Sequence, residues 1–149
     1  MSDLFERILL LKQSLIFSGV SSDGLRVVAQ MLEEENYFAG DRIYDVFDNG
    51  GHIFILQSGR IGISFIPSDS RNKSTAEIEP GECFGEMNLL DELPRTTSAY
   101  VLEDSIVLSL EKSSLRGLIF DHPELSIGMI QGLSLRLRAA NLKKIKQKI

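Results

Sequence analysis

The sequence has few of the residues from which disulfides, metal centres and most catalytic sites are built. It contains one cysteine, Cys83, so no disulfide can form within the chain, and this sparing use of cysteine suits a reducing cytoplasm. Neither His52 nor His122 belongs to an H-x-H or H-x₃₋₄-E pattern, and the histidines and the cysteine form no convincing catalytic triad. We therefore expect no metal site, no catalytic cofactor and no enzyme activity.

Long apolar runs and basic character are also missing. No apolar run reaches the roughly 18 residues that a membrane span needs, and the N-terminal MSDLFERILL lacks the basic and long apolar regions of a signal peptide. The formal net charge is -5 at pH 7. An acidic chain repels polyphosphate, although a local basic pocket for one small anion stays open. We expect a cytoplasmic protein that contacts neither membranes nor nucleic acid directly.

Helical signals are found at the start of the chain. With 149 residues, of which 43% are apolar and 25% charged, the chain suits one globular domain with a core. Asp3 and Glu6 can cap a helix that extends to about Phe17, and Ser21 or Ser22 can cap a second helix. The apolar residues that recur at helical spacing are Leu4, Ile8, Leu11 and Leu15, followed by Leu25, Val28, Ala29 and Leu32.

The middle of the chain consists of short β-rich runs separated by turn residues. The predicted strands are Asn36 to Phe38, Arg42 to Phe47, His52 to Gln57, Arg60 to Ile66, Ser74 to Ile78, Thr96 to Leu102 and Ser105 to Leu110. Glycines 40, 50, 51 and 59 lie in the turns between the earlier strands. Many short strands at nearly regular spacing predict a mainly β fold, a jelly-roll barrel with helices at both ends.

The last part of the chain is predicted to be helical again. Ser113 or Ser114 can cap a short helix, and Pro123 can begin a long helix that extends nearly to Ile149. Two apolar stripes follow the long helix: Leu125, Met129 and Leu133, which we expect on the barrel, and Leu135, Leu142 and Ile149 with Ile145. The sevenfold spacing of the second stripe is a short coiled-coil signal that favours pairing of two chains, unless the stripe is only a frayed end.

Residues 81 to 99, GECFGEMNLLDELPRTTSA, contain the residues best suited to ligand binding. The segment is a poor strand and is better predicted as a turn, one or two helical turns and a loop. Gly85 permits a positive φ, and free N–H groups at a helix start bind anions. The planar guanidinium of Arg95 matches two phosphate oxygens. Beside such an anion site Glu86 is useful only if the ligand offers a hydroxyl donor, as a ribose 2'-OH does. Phosphate and ribose hydroxyl together describe a cyclic nucleotide.

The segment FGEMNLLDELPRTTSA resembles the phosphate-binding cassette of cyclic-nucleotide-binding domains, the cAMP- or cGMP-binding β-rolls related to the catabolite activator. The upstream LIFSGVSSDGLRVVAQ and YFAGDRIYDVFDNGGHIFILQSGRIGIS and the downstream LEKSSLRGLIFDHPEL are similar to that family too. The resemblance covers nearly the whole chain. It implies a single domain over 1–149, with N-terminal helices in 1–34, the β-roll in 35–110, the cassette in 81–99 and C-terminal helices in 111–149.

The resemblance also implies roles for six residues. Glu86 would hold the ribose hydroxyl and Arg95 the cyclic phosphate, while Gly85 and the amides around Met87 and Asn88 would add backbone donors. Thr96 would lie near the phosphate and the base; its hydroxyl either contacts a guanine amino group, which favours cGMP, or meets only the phosphate or backbone. Asn88 departs from the small residue that is usual there, and its amide either crowds the phosphate or binds it.

The function that the resemblance implies is that of a regulatory sensor. Binding of cAMP or cGMP would reposition the C-terminal helix and so signal to a protein partner. The resemblance implies two arrangements for that helix: it pairs two chains in a homodimer, or it lies over the nucleotide pocket. Relatives that act as transcription factors have a winged helix-turn-helix after this point, which these residues do not include. The alternative is a structural or protein-interaction domain of the same fold that binds no nucleotide.

Overall fold

A computed structural model describes residues 3–64, 76–86 and 93–148 of the chain. Within these residues the backbone forms four α-helices, one 3₁₀ turn and six strands. The helices are α1 (Leu4–Gln13), α2 (Ser22–Ala29), α3 (Lys112–Asp121) and α4 (Glu124–Lys148), with the 3₁₀ turn at Leu15–Phe17. The strands are β1 (Glu33–Tyr37), β2 (Arg42–Tyr44), β3 (His52–Ser64), β4 (Ala76–Ile78), β5 (Cys83–Phe84) and β6 (Ser98–Glu111).

The N-terminal helices begin where the sequence predicts. The Asp3 side chain accepts a hydrogen bond from the Glu6 amide at 2.8 Å, and Ser21, rather than Ser22, accepts one from the Gly24 amide at 3.2 Å. These caps satisfy amides that have no partner within the helix. The predicted first helix is shorter than expected, because it ends at Gln13 and the chain continues as the separate 3₁₀ turn.

The strands form an antiparallel β-roll built around two long strands. The sheet order is β1-β6-β3-β4, and the short strands β2 and β5 pair with β6 and β3. The predicted mainly β jelly-roll fold with flanking helices is confirmed. Two predicted pairs of strands are in fact single strands, since β3 continues through Gly59 and β6 continues through Asp104.

Gly59 explains why one predicted turn is a bend within a strand. Its φ is +101°, and the β3–β6 register shifts before, at and after it: between Leu56 and Ser58, between Ser58 and Arg60, and between Arg60 and Ile61. A β-carbon at Gly59 would overlap Ser105 on β6. The glycine therefore permits a bulge that bends β3 without interrupting its pairing.

Side chains of β3 alternate between two apolar cores. Ile53 and Ile55 pack with the helices, whereas Phe54 and Leu56 pack inside the β-roll, as a period of two residues requires. The helical core contains Leu11, Ile16, Phe17, Leu25, Val28, Ala29, Leu32, Leu115, Leu125 and Met129. The roll core contains Tyr44, Ile61, Phe84, Ala99, Val101 and Val107. The second core lies beside the cavity described below.

The C-terminal helices differ from the prediction at their starts. Helix α3 begins at Lys112 with Glu111 at its N-cap, so neither Ser113 nor Ser114 caps it. Helix α4 begins at Glu124, directly after Pro123. Since α3 follows β6 without a loop, the strand itself sets the start of the helix.

Two glycines bring α4 close to the turn between the N-terminal helices. A β-carbon at Gly128 would lie 2.7 Å from the Gly19 carbonyl oxygen, and one at Gly132 would overlap the Ile16 carbonyl. Leu125 and Met129 on this side of α4 are buried, and Leu133 packs against the same core. The first predicted stripe is thus on the protein interior. Leu135, Leu142 and Ile145 of the second stripe are exposed, and Ile149 lies outside the described residues.

Candidate functional site

A cavity of about 230 Å³ lies between the β-roll and α4. Its lining comprises Tyr44, Ile63, Ala76, Ile78, Cys83, Phe84, Gly85, Glu86, Arg95, Thr96, Thr97 and Arg136. The sequence-predicted residues Gly85, Glu86, Arg95 and Thr96 are therefore in one place. Met87 and Asn88, predicted to supply backbone donors, lie outside the described residues, as does the rest of the predicted helical turn.

Gly85 forms the turn that brings the cassette against Arg95. The segment before it, β5, pairs with β3 at Phe54 and Ile55, although the sequence indicated no strand there. Gly85 has φ +76°, and a β-carbon on it would lie 2.9 Å from Arg95 Nη1. A side chain at this position would both strain the backbone and displace the guanidinium.

Arg95 is almost completely buried, with 5% of its surface exposed. Its Nη1 donates to the Gly85 carbonyl at 2.6 Å and its Nη2 donates to the His52 carbonyl at 2.9 Å. Burial lowers the pKa of the guanidinium, and the nearby Tyr44 and Glu86 oppose that shift. An arginine nevertheless stays charged in proteins. The fold thus holds a fixed positive charge at the cavity wall.

The backbone of Arg95 is held by the loop that follows β2. The Arg95 amide donates to the Asp48 carbonyl at 2.7 Å, and the Phe47 amide donates to the Arg95 carbonyl at 2.8 Å. Phe47 has φ +75°, which a phenylalanine rarely adopts. Asn49 and Pro94 form an isolated bridge beside these bonds. Phe47, with its strained backbone, therefore belongs to the loop that holds the backbone of Arg95 in place.

Glu86 is also buried, and its partner comes from the other end of the chain. Its side chain is 6% exposed and forms an ion pair with Arg136 of α4, whose side chain is 41% exposed. A buried carboxylate needs such a partner, because removing a charge from water is costly. The pair connects α4 to the cassette at the cavity wall.

The apolar part of the wall is aromatic and aliphatic. The rings of Tyr44, Phe54 and Phe84 stack on one another, with centroids between Phe54 and Phe84 5.2 Å apart. Burial raises the pKa of Tyr44, and burial together with the charge of Glu86 raises the pKa of the Cys83 thiol. Both groups therefore stay neutral at physiological pH. Neutral walls beside the charges of Arg95, Glu86 and Arg136 suit a ligand with both polar and apolar parts.

A second cavity of about 240 Å³ adjoins the first and shares Ile78, Cys83 and Arg136 with it. Its other lining residues are Gln13, Leu15, Ile16 and Glu82. Arg136 is thus a common wall of both spaces. A change in the position of its side chain would alter the volume available to a ligand.

The sequence reasoning assigned no role to several cavity residues, among them Thr97, Tyr44 and Arg136. Thr97 lines the cavity beside Thr96, and Tyr44 lies at the end of β2 with nothing in its local pattern to indicate a site. Arg136 did have a signal, since it follows Leu125, Met129 and Leu133 on the inward stripe of α4. A charged residue that continues a buried stripe requires a buried partner.

In the parts of the chain that the structure describes, no three histidine, cysteine, aspartate or glutamate side chains are grouped as metal ligands. None of the described helices is both long enough and apolar enough to cross a membrane.

The chain was compared with families and proteins of known sequence. The sequence model of the cyclic nucleotide-binding domain matches residues 34–122. The CRP-like cAMP-activated global transcriptional regulator of Mycobacterium tuberculosis is 29% identical over 126 residues, which are 85% of this chain and 56% of that protein. The chain thus spans a little over half the length of this relative.

Solved structures agree with the sequence comparison. The Thermus thermophilus catabolite activator protein superposes with a TM-score of 0.72 and 28% identity, covering 90% of this chain and 63% of that one. The N-terminal domain of a transcriptional regulator from Streptomyces coelicolor gives a TM-score of 0.77 at 23% identity, over 89% and 94% of the two chains, and shows the shared fold. With the family match covering more than half of its residues, this chain belongs to the cyclic nucleotide-binding domain family.

Proposed function

We propose that the chain is a regulatory domain that binds cAMP or cGMP in the cavity between the β-roll and α4. The supporting observation is that Glu86 and Arg95, a buried acceptor and a buried donor, line one cavity. A cyclic nucleotide has one phosphate charge and one ribose hydroxyl, and it needs both kinds of partner. In this proposal Arg95 binds the phosphate and Glu86 accepts the 2'-OH hydrogen bond.

The remaining site residues have supporting roles in the proposal. The cassette 81–99 supplies backbone donors at Gly85 and, by the family resemblance, around Met87 and Asn88. Thr96 and Thr97 line the cavity near Arg95 and are the hydroxyls available to a phosphate or a base. We propose cAMP as the first ligand to test, since the M. tuberculosis relative is described as cAMP-activated.

The proposed signal passes through Arg136. Arg136 on α4 pairs with Glu86. A ribose hydroxyl that hydrogen-bonds to Glu86 would alter this ion pair, and so would change the free energy of α4 in its observed position. A ligand that interacts differently with two positions of a helix must shift the balance between them. The partner that senses α4 would be a downstream protein in the cytoplasm, with no direct contact with nucleic acid or membrane by these residues.

The outer face of α4 supports pairing of two chains. Its exposed apolar residues are Ile127, Ile130, Leu135, Leu137, Leu142 and Ile145. At about 100° per residue they lie on the side of α4 away from the buried Leu125 and Met129. Exposed apolar surface of this kind marks an interaction site, and a homodimer through α4 is the proposed arrangement.

One observation favours the alternative of a domain that binds no nucleotide. The Arg95 terminal nitrogens donate to two carbonyl oxygens, and Glu86 pairs with Arg136, so protein groups already engage both key side chains. A site of this kind is stable without a ligand and could serve only to hold the fold. Thermal unfolding distinguishes the two functions.

The test is the melting temperature with cAMP, with cGMP and with 5'-AMP as a control. A ligand at one hundred times its Kd stabilises the native state by about 2.7 kcal/mol, which raises Tm by roughly 5–10 °C for a chain of this size. We expect the rise with at least one cyclic nucleotide and its loss in Arg95→Ala. An unchanged Tm with both cyclic nucleotides would support the interaction domain instead.

A further inference from the structure

The guanidinium of Arg95 lies on the ring of Tyr44 inside the β-roll. Arg95 Cζ is 4.2 Å from the Tyr44 ring centroid, whereas the Phe54 centroid is 6.0 Å away. Tyr44 is 8% exposed. The electron-rich face of an aromatic ring attracts a cation, and the attraction is stronger where water is excluded. Tyr44 is therefore the aromatic surface that stabilises this buried charge.

The Tyr44 ring is itself held by its neighbours. It stacks with Phe54 at a centroid distance of 6.0 Å and with Phe84 at 6.4 Å, at interplanar angles of 24° and 29°. Its strand is fixed too, since Tyr44 on β2 pairs with Ala99 on β6. The ring has little freedom to rotate away, so its face is available in a constant position.

The edges of the guanidinium are restrained as well as its face. Nη1 and Nη2 donate to carbonyl oxygens of Gly85 and His52, which lie on different segments. A long arginine side chain normally loses rotamer freedom when it binds a ligand. Here the ring and the two carbonyls restrict that freedom during folding, so the charge is in place before any ligand arrives.

We infer that Tyr44 is a positioning residue for anion binding, which holds the Arg95 guanidinium where a cyclic phosphate meets it. The inference rests on the proposed function, because it assigns a second residue to the same site. Tyr44 acts through Arg95 and not by a charge of its own. A leucine in its place would supply apolar volume but no ring face, and the guanidinium would be less firmly held.

The first test compares cAMP affinity in three variants by titration calorimetry. Tyr44→Leu is expected to lose about tenfold in affinity, while Tyr44→Phe retains the ring and stays within about twofold of wild type. Tyr100→Leu is the matched control, since Tyr100 is 2% exposed and lies under Arg42 at 5.4 Å but does not line the cavity. The inference is overturned if Tyr44→Leu loses no more affinity than Tyr100→Leu, or if Tyr44→Phe is as weak as Tyr44→Leu.

The second test needs no ligand. Urea unfolding of wild type, Tyr44→Leu, Arg95→Met and the double variant measures the coupling between the two side chains. We expect the double variant to be less destabilised than the sum of the single changes, by a factor of about three to ten in the unfolding constant. The chain has three tyrosines and no tryptophan, so tyrosine fluorescence follows the unfolding.

The two tests separate the inference from the function on which it rests. A wild type that binds no cyclic nucleotide would contradict the proposed function, while the unfolding cycle would still show whether Tyr44 holds Arg95. Strictly additive effects in the cycle would overturn the inference whatever the ligand does. Coupling in the cycle together with a selective affinity loss in Tyr44→Leu would establish it.

Discussion

Arg136 on α4 forms an ion pair with Glu86, fifty positions earlier in the chain and nearly buried at the cavity wall. The same side of α4 has Gly132 and Gly128 about one and two turns before Arg136, and both glycines permit close contact with the turn at residues 15–19. The glycines thus dock the helix and the arginine connects it to the site. This places the proposed ligand-binding carboxylate and the proposed signalling helix in direct contact.

The first prediction concerns the loss of this pair in Arg136→Met. The change leaves a buried carboxylate without its partner. Because the Arg136 side chain is 41% exposed and solvent screens the pair, we expect a fall in the free energy of unfolding of about 1–2 kcal/mol, between the values for exposed and buried pairs. Amides of α4 beyond Gly132 should exchange faster in the free protein, and cAMP should no longer alter their exchange. Hydrogen–deuterium exchange with mass spectrometry, with and without cAMP, measures this.

Arg138→Met is the control for that experiment. It removes the same charge from an exposed position of α4, and its exchange should follow wild type. If Arg136→Met and wild type respond to cAMP in the same way, the pair has no part in the signal.

The second prediction concerns the hydrogen bond that Glu86 is proposed to accept from the ribose 2'-OH. Wild type should bind 2'-deoxy-cAMP more weakly than cAMP by roughly 1–3 kcal/mol, the cost of leaving a charged acceptor without its donor. In Glu86→Gln the two ligands should bind with nearly equal affinity, because the amide bonds less strongly to the hydroxyl. Calorimetry of both ligands gives the comparison, with Glu124→Gln, 64% exposed at its side chain, as the control. Equal binding of both ligands by wild type would assign Glu86 another role.

Local patterns predicted the N-terminal helices well because those elements have local causes. The caps at Asp3 and Ser21 and the inward stripe of α2 need only neighbouring residues, and they are confirmed. The continuity of β3 through Gly59 was not predictable from local sequence. The dipeptide Ser58-Gly59 is typical of a turn, and it forms a bulge within a strand only where a partner strand pairs on both sides of it. That partner is β6, more than 40 residues later. Likewise β5 exists only because Phe54 and Ile55 are there to pair with it.

The candidate site was predictable where the residues are close in sequence. Gly85, Glu86, Arg95 and Thr96 lie within one short segment, and the structure brings them to one cavity. Tyr44 and Arg136 reach that cavity from β2 and α4, so their place depends on the packing of the whole domain. A pattern within a short window cannot show such distant contacts. The position of Arg136 on an apolar stripe did indicate that it has a partner in the protein interior.

The third prediction concerns the outer face of α4. Leu142→Asp places a charge on the exposed apolar surface, where Leu142 is 58% exposed in the single chain. If two chains pair through this face, wild type should be a dimer and the variant a monomer, because a buried unpaired charge costs several kcal/mol. Size-exclusion chromatography with light scattering, with and without cAMP, measures the mass.

Phe120→Asp is the control for association. Phe120 is 87% exposed on α3 and is not part of α4, and the variant should keep the wild-type mass. A wild type that is monomeric with and without nucleotide would contradict the dimer. The hydrogen–deuterium exchange experiment would then still test whether nucleotide binding changes α4.

The last prediction concerns pH and Cys83. Burial raises the pKa of its thiol in the folded state, with the charge of Glu86 adding to the shift. A raised folded pKa stabilises the native state below the unfolded thiol pKa of about 8.5, and the stabilisation is lost as pH rises above that value, because only the unfolded chain releases the proton. Urea unfolding of wild type and Cys83→Ala under reducing conditions, from pH 7 to pH 10, should show the stability advantage of wild type shrinking by about 1–2 kcal/mol above pH 8.5. The raised pKa of Tyr37 does not depend on Cys83 and cancels in the difference. Cys83 contributes to the raised pKa of Tyr44, but an unfolded tyrosine has a pKa of about 10, so Tyr44 adds little to the difference below pH 9. A difference that stays constant across this range would mean that the thiol ionises equally easily in the folded and unfolded chains.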